Sequence, residues 1–152
     1  MLADSLTSLT MPDPFSSIAL GAGLGSLFSH LLSKDVSREQ RLREAKVIIR
    51  GMIQEVEDHH PGYLFMLHES LSGKVKALGN VVIDDLSRTQ QEEFGRACSE
   101  FVNTTDSERT PVVTPFGPEY KVTPEELARE QKNWKKPTEL LNARLIAILN
   151  CL

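Results

Sequence analysis

The chain has 152 residues, of which 40% are hydrophobic, 25% are charged and 6% are aromatic. This composition is that of a globular domain with one modest core rather than of a disordered chain. The net charge of −4 provides no basic face for duplex binding, so we expect no nucleic-acid partner. Cys98 and Cys151 stand in no metal or redox spacing, and the apolar neighbours of Cys98 predict a buried thiol.

The first predicted element is a helix over residues 15–33, a stretch without a single charge that follows Pro12 and Pro14. Nineteen residues in a helix rise about 28 Å, close to the thickness of the hydrocarbon core of a bilayer. The hydrophobicity of the segment is marginal for a membrane span, because glycines, serines and His30 interrupt it. The first 14 residues carry no basic residue, so we expect no secretory signal.

Small residues recur at every fourth position of this segment and therefore share one face of the predicted helix. Such residues let two helix backbones approach closely, in lipid or in a soluble helix pair. We predict a packing face formed by Ser17, Gly21, Gly25 and Ser29. The bulky side chains of the other side form a predicted apolar face: Leu20, Leu24, Leu27, Phe28 and Leu31. Lipid, copies of the same chain and other proteins all remain open as surroundings.

A second helix begins at Ser37, which forms a capping-box pattern with Gln40, and ends before Pro61. Its apolar residues alternate at spacings of three and four, which is typical of an amphipathic helix: Leu42, Ala45, Ile49, Met52 and Val56. A third helix is predicted over residues 63–86 with interruptions at Gly73 and Gly79. A short strand at residues 81–83 is the alternative, but no second convincing strand exists to pair with it.

The C-terminal half predicts three more helices, which makes the fold all-α with about six helices. Ser87 and Gln90 cap a fourth helix that runs to about Val102, and its inward-facing residues are Phe94, Ala97, Cys98 and Phe101. Residues 103–122 are rich in proline and are predicted to be irregular, as in a functional loop or an extended arm. Thr123 caps a fifth helix, which Pro137 should end.

A sixth helix should follow from Thr138 and is strongly apolar: Leu140, Leu141, Leu145, Ile146, Ile148 and Leu149. Side chains of this kind must be buried in the core of the domain or in a partner. We therefore divide the chain into an N-terminal apolar segment, residues 1–36, which oligomerises or inserts into a membrane, and a helical domain, residues 37–152.

No sequence pattern identifies a reaction. The nucleophile elbow, the P-loop, the HExxH zinc motif and the EF-hand loop are all missing from the sequence. Glu55 and His59 form one i, i+4 pair, whereas zinc needs three or four converging ligands, so we expect His59 and His60 to be capping or surface residues. We expect a non-enzymatic protein with no cofactor, no metal and no small-molecule substrate.

In size, in its Gly/Ala/Ser-rich apolar N-terminus and in its helical remainder, the chain resembles the small internal virion proteins that short-tailed phages eject to build a conduit across the host envelope. The resemblance is one of overall character over residues 15–56 and carries no residue roles. It implies a structural component of an oligomeric assembly, located in the virion or at a membrane. Acidic residues before residues 15–33 and basic residues after them would place the bulk of the chain on the positive-inside face.

The alternative function is that of a soluble helical adaptor or scaffold, which docks onto other proteins through its N- and C-terminal apolar helices. Such an adaptor would be cytoplasmic. Both hypotheses name copies of the chain or other proteins as partners, and they differ in whether a membrane is involved.

Overall fold

The computed structural model describes residues 36–112 and 123–152. The predicted helix over residues 15–33 and the second half of the predicted irregular stretch lie outside the described residues. Within them the all-α prediction is confirmed: there are four α-helices and two short 3-10 turns, and no strand.

Helix α1, Arg38–Asp58, begins where Ser37 Oγ accepts a hydrogen bond from the backbone N–H of Gln40 at 3.2 Å. A 3-10 turn, Pro61–Tyr63, leads into α2, Leu64–Val82, which continues through Gly73 and Gly79. The predicted interruptions at these glycines are therefore wrong, because packing of the apolar face of α2 outweighs the low helix propensity of glycine. The strand alternative is excluded, since Val82 ends α2 and a second 3-10 turn, Ile83–Asp85, follows.

Helix α3, Arg88–Val102, begins with the predicted capping box, in which Gln90 N–H donates to Ser87 Oγ and Ser87 N–H donates to Gln90 Oε1. Residues 103–112 contain turns but no helix or strand, as predicted for this part of the irregular stretch. Thr123 and Glu126 form a second complete capping box at the start of α4, Pro124–Asn150.

The predicted break at Pro137 is wrong, because α4 is one helix of 27 residues that contains Pro137 in its interior. Proline has no backbone N–H and so removes one helical hydrogen bond, which normally costs about 3 kcal/mol. Pro137 is itself buried, and the next turns place Leu141, Leu145 and Ile148 in the core with no exposed surface. Tertiary packing of Pro137 and of the turns that follow it thus holds the helix together, and the fifth and sixth predicted helices are one.

The four helices form a closed bundle in which α1 packs on α2 and α4, and α3 packs on α2 and α4. Seventeen buried hydrophobic residues form one core cluster, which draws on all four helices and on Leu86. Leu141, Leu145 and Ile148 in the second half of α4 fill this core, whereas Ile146 is 44% exposed. The C-terminal apolar helix therefore buries its main apolar face in its own domain.

Candidate functional site

The residues of the predicted packing face and of the predicted apolar face all lie outside the described residues: Ser17, Gly21, Gly25, Ser29, Leu20, Leu24, Leu27, Phe28 and Leu31. The described residues instead show where this segment joins the helical domain. They also show two polar clusters and the surface around them.

The junction between the two parts of the chain is held by Arg41 and Asp85. The guanidinium of Arg41 donates through Nε and Nη2 to both carboxylate oxygens of Asp85, at 2.6 and 2.7 Å. Its Nη1 donates to the backbone carbonyl of Val36 at 2.5 Å, and Arg38 Nε donates to the backbone carbonyl of Asp85 at 2.6 Å. Val36 is buried, so the first described residue is fastened to the turn between α2 and α3.

Arg41 and Asp85 form a charge pair that favours the ionised form of the carboxylate. The hydrogen bond from Arg41 is the main cause that keeps the pKa of Asp85 below its usual value, and burial opposes it. The paired, bidentate geometry is the arrangement in which an arginine–carboxylate contact is strongest and most directional. The junction therefore fixes the point at which residues 1–35 leave the helical domain.

A groove of about 250 Å³ opens between α2 and α3 directly beside this junction. Its apolar lining consists of Val75, Gly79, Ile83, Phe94, Gly95 and Cys98, and the exposed side chains of Lys76 and Asn80 add polar atoms. Ile83 belongs to the same 3-10 turn as Asp85, so one end of the groove adjoins the junction.

Cys98 lines this groove and is half-buried rather than fully buried, which partly confirms the predicted buried thiol. Burial is the main cause that raises the pKa of the Cys98 thiol to about 12, with a smaller contribution from Cys151. Because the thiolate is the reactive form of cysteine, Cys98 is a weak nucleophile in the folded chain.

The second polar cluster surrounds His68, which is 3% exposed in the apolar face of α2. Nε2 of His68 lies 2.7 Å from the carbonyl oxygen of Phe101, and Nδ1 lies 2.8 Å from Nη1 of Arg109. A carbonyl oxygen can only accept and a guanidinium can only donate, so the ring is neutral with its proton on Nε2. Burial is the largest cause that lowers the pKa of His68; Arg109 and Arg144 act in the same direction, against the Phe101 carbonyl and Glu69.

Arg109 and Arg144 connect this histidine to the irregular stretch after α3. Arg109 forms ion pairs with Asp106 and with Glu69, and donates to the carbonyl of Phe65. Arg144 of α4 donates to Thr104 Oγ1 at 2.7 Å and to both carboxylate oxygens of Glu108. The cluster therefore ties residues 104–109 to α2 and α4.

The His68 cluster does not have the geometry of an acyl-transfer site. Ser72 Oγ lies 3.4 Å from Nε2 of His68, but the proton on that nitrogen is directed to Phe101, so Nε2 cannot act as the base for Ser72. In a Ser-His-Asp triad, a carboxylate accepts the proton of Nδ1–H, whereas here Arg109 donates to Nδ1 of His68. The hydrogen bonds of the His68 cluster hold residues 104–109 against α2 and α4, and they leave neither ring nitrogen of His68 free to act as a base for Ser72.

The prediction that His59 and His60 are capping or surface residues is confirmed. His59 is the C-cap residue of α1, and His60 Nδ1 accepts a hydrogen bond from Gly62 N–H at 3.0 Å. The His60 ring also contacts Trp134 edge-on, with ring centroids 5.8 Å apart, which places this tryptophan at the edge of the core. Across residues 36–112 and 123–152 no three His, Cys, Asp or Glu side chains converge as metal ligands would.

A cavity of about 530 Å³ lies between the irregular stretch and the middle of α4. Glu108, Val112 and Lys136 line it together with Pro137 and Asn133, the residue whose carbonyl loses its helical donor at the proline. Glu108 is already engaged by Arg144, which is the main cause that lowers the pKa of Glu108 to about 2. The cavity thus combines an apolar wall with charges of both signs.

Three apolar side chains at the start of α2 remain on the surface: Tyr63 at 57%, Phe65 at 41% and Met66 at 59% exposure. Isolated exposed apolar residues are normal, but three within four positions form a patch suited to contact with another molecule.

None of the helices in the described parts of the chain combines the length and the apolar character of a bilayer span.

Comparisons with protein-family models, with curated proteins and with solved structures each gave no match.

The predictions from sequence missed the His68 cluster and the junction. A signal for the first was present, since His68 stands in the series Leu64, Leu71, Val75 and Leu78, whose spacings of three and four define the buried face of α2. A histidine in such a series needs partners for both ring nitrogens. Its partner Arg109 is 41 residues away, and Asp85 is 44 residues from Arg41, so neither pairing follows from local spacing.

Proposed function

We propose that the chain is a non-enzymatic structural component of an oligomeric assembly. In this proposal the helical domain is a rigid body that carries residues 1–36, and those residues pack with copies of themselves or enter a membrane. The observation that carries the proposal is the junction, where Arg41 holds Val36 and Asp85 in one network immediately after the uncharged segment.

The buried position of the C-terminal helix supports this proposal over a docking helix at that end. Leu141, Leu145 and Ile148 are fully buried in the bundle, so they are not available to a partner. The uncharged N-terminal segment is then the main apolar element left for assembly. By the resemblance in overall character, a virion ejection protein that forms part of an envelope-crossing conduit is the specific form that we propose.

Membrane association is tested by sedimentation with liposomes followed by a carbonate wash. The full chain is compared with a chain that lacks residues 1–33. This deletion stops short of Val36, so the truncated chain keeps the junction. We expect the full chain to stay with the lipid and the truncated chain to remain in the supernatant. Equal behaviour of the two would contradict the membrane part of the proposal.

Assembly through the small-residue face is tested by Gly21→Leu and Gly25→Leu, which should reduce the oligomer size in detergent and in buffer. The matched control is Ser16→Leu, which adds the same side chain outside the predicted packing face. An oligomer size that is unchanged in all three variants would show that the face is not used.

The exposed patch at the start of α2 favours one alternative, a soluble helical adaptor that docks onto another protein. Its contact surface would be Tyr63, Phe65 and Met66 rather than the C-terminal helix. Lipid-independent behaviour of the full chain, together with loss of a protein partner in Phe65→Glu, would favour the adaptor.

A further inference from the structure

The groove between α2 and α3 begins where the N-terminal segment leaves the domain. Val36 and the carboxylate of Asp85 share the guanidinium of Arg41, and Ile83, two residues before Asp85, lines the groove. Only residues 34 and 35 separate the uncharged segment from Val36, and three extended steps span about 10 Å. The segment therefore starts within reach of the groove whatever direction it takes.

The groove has the shape and chemistry to receive bulky apolar side chains. A Cβ atom at Gly95 would meet nothing within 4 Å, and one at Gly79 would meet only the ring of Phe94, at 3.7 Å. The volume of about 250 Å³ is roughly that of eight water molecules, enough for one or two Leu or Phe side chains. Water in such an apolar site is readily displaced by apolar groups.

We propose that the groove between α2 and α3 is a docking site for residues 24–31 of the same chain, which occupy it through their Leu/Phe face while the segment is not engaged in an assembly. This inference goes beyond the proposed function, since it holds equally for a segment that later enters lipid and for one that later binds protein.

The register follows from the lengths of the two elements. The groove runs from Ile83 back to Val75, eight residues, or about 12 Å at the helical rise of 1.5 Å per residue. A helix with residue 31 beside Ile83 would cover the same distance with residues 23–31, so residues 24–31 would lie along the groove. Four bulky residues of the apolar face fall in this window, and the groove has room for one or two of them at a time: Leu24, Leu27, Phe28 and Leu31.

The attachment at Val36 favours the chain's own segment over other occupants. A segment joined by two residues is present at an effective concentration in the millimolar range, well above that of a free partner at ordinary protein concentrations. Docking would also cover the apolar residues of the segment, which would otherwise be exposed to water.

The test is disulfide formation in the full chain, in a background with Cys98→Ala and Cys151→Ser. Gly95→Cys places a thiol in the groove at a position where a Cβ atom meets nothing within 4 Å, and Leu27→Cys places one on the predicted apolar face. The matched control replaces Leu27→Cys by Ser29→Cys, which is about 160° away on the predicted helix and only two residues along the chain. Circular dichroism and thermal melting verify that each variant folds.

We expect the cysteine of Gly95→Cys to form an intramolecular disulfide with the cysteine of Leu27→Cys at least about tenfold faster than with that of Ser29→Cys. The rate should be independent of protein concentration. Equal rates for the two cysteines would overturn the docked arrangement. A disulfide that links two chains, shown by mixing chains of different mass, would assign the groove to a second copy and would also overturn the proposal.

A second variant tests the groove without any cysteine in the segment. Gly95→Leu should fill part of the groove. Gly73→Leu on α2 is its control, since a Cβ atom at Gly73 also meets nothing within 4 Å and Gly73 does not line the groove. We expect Gly95→Leu alone to increase protease cleavage within residues 15–33 by at least about tenfold, because local exposure controls cleavage. Equal cleavage in the two variants would contradict docking, whatever the liposome experiment shows.

Discussion

Acidification below about pH 6.5 should destabilise the helical domain through one side chain, His68. The ring is neutral in the folded chain, because its Nδ1 accepts a hydrogen bond from Arg109. A proton on Nδ1 would face the N–H groups of a guanidinium, and the hydrogen bond would be replaced by repulsion between two cations. The charges that face the ring are those of Arg109, Arg144 and Glu69, and the two arginines act against protonation.

The size of the effect follows from linkage. The pKa of His68 is 6.5 in the unfolded chain and is lowered in the folded chain, mainly by burial. The unfolded chain therefore binds more protons as the pH falls below 6.5, and the stabilisation is fully present only above that value. Between the two pKa values, the free energy of unfolding should fall by up to about 1.4 kcal/mol per pH unit.

Urea unfolding at pH values from 7.5 to 5.0 measures this slope. Asp and Glu side chains have ordinary pKa values near 4, so histidines dominate the range. The comparison is His68→Gln, which keeps a polar side chain of similar length and removes the titration. We expect the variant to be less stable at pH 7.5 but to show a smaller pH slope than the native chain. Identical slopes, or a native chain that is more stable at pH 5 than at pH 7.5, would refute the reasoning.

Three further predictions concern packing and reactivity. Leu145→Ala should lower the free energy of unfolding by about 2–5 kcal/mol in urea titration, because Leu145 is fully buried in the shared core; a loss below 1 kcal/mol would argue against that packing. Pro137→Ala should raise the free energy of unfolding by about 1–2 kcal/mol in thermal melts. The gain in helix propensity is about 3 kcal/mol, which exceeds the stabilisation lost with the small buried ring. A lower melting temperature would show that the ring is needed. Cys98 should react with iodoacetamide at pH 8 on the order of a thousandfold more slowly than a free cysteine, because its pKa is about 12, and urea should abolish the difference.

Local rules were sufficient for much of the fold. Ser87 with Gln90 and Thr123 with Glu126 form the predicted capping boxes, because the donors and acceptors of a cap lie within three residues of one another. The apolar stripe of α1 is also largely confirmed, since Ala45, Ile49 and other predicted residues of that face are buried.

Where the predictions failed, interactions between distant residues decided the structure. The break at Pro137 follows from propensity, but the packing of α4 on α1 and α3 keeps the helix continuous. The pairing of Arg41 with Asp85 joins residues 44 positions apart, and nothing in their local sequence specifies it. The predicted packing face at Ser17, Gly21, Gly25 and Ser29 stays a prediction, since it lies outside the described residues.

The two polar clusters should respond to acid in separate ranges, and this difference connects the domain to the segment that it carries. Below pH 6.5, protonation increasingly favours open states in which His68 has lost its contact with Arg109 and residues 104–109 are loosened from α2. Asp85 remains ionised throughout that range, because Arg41 holds the pKa of Asp85 below its usual value near 4. Mild acid should therefore free the irregular stretch while Val36 stays fixed at the junction. Hydrogen exchange at pH 5.5, corrected for the intrinsic exchange rate, should increase at residues 104–109 and not at residues 36–41; an equal increase at both would mean that the clusters open as one cooperative unit.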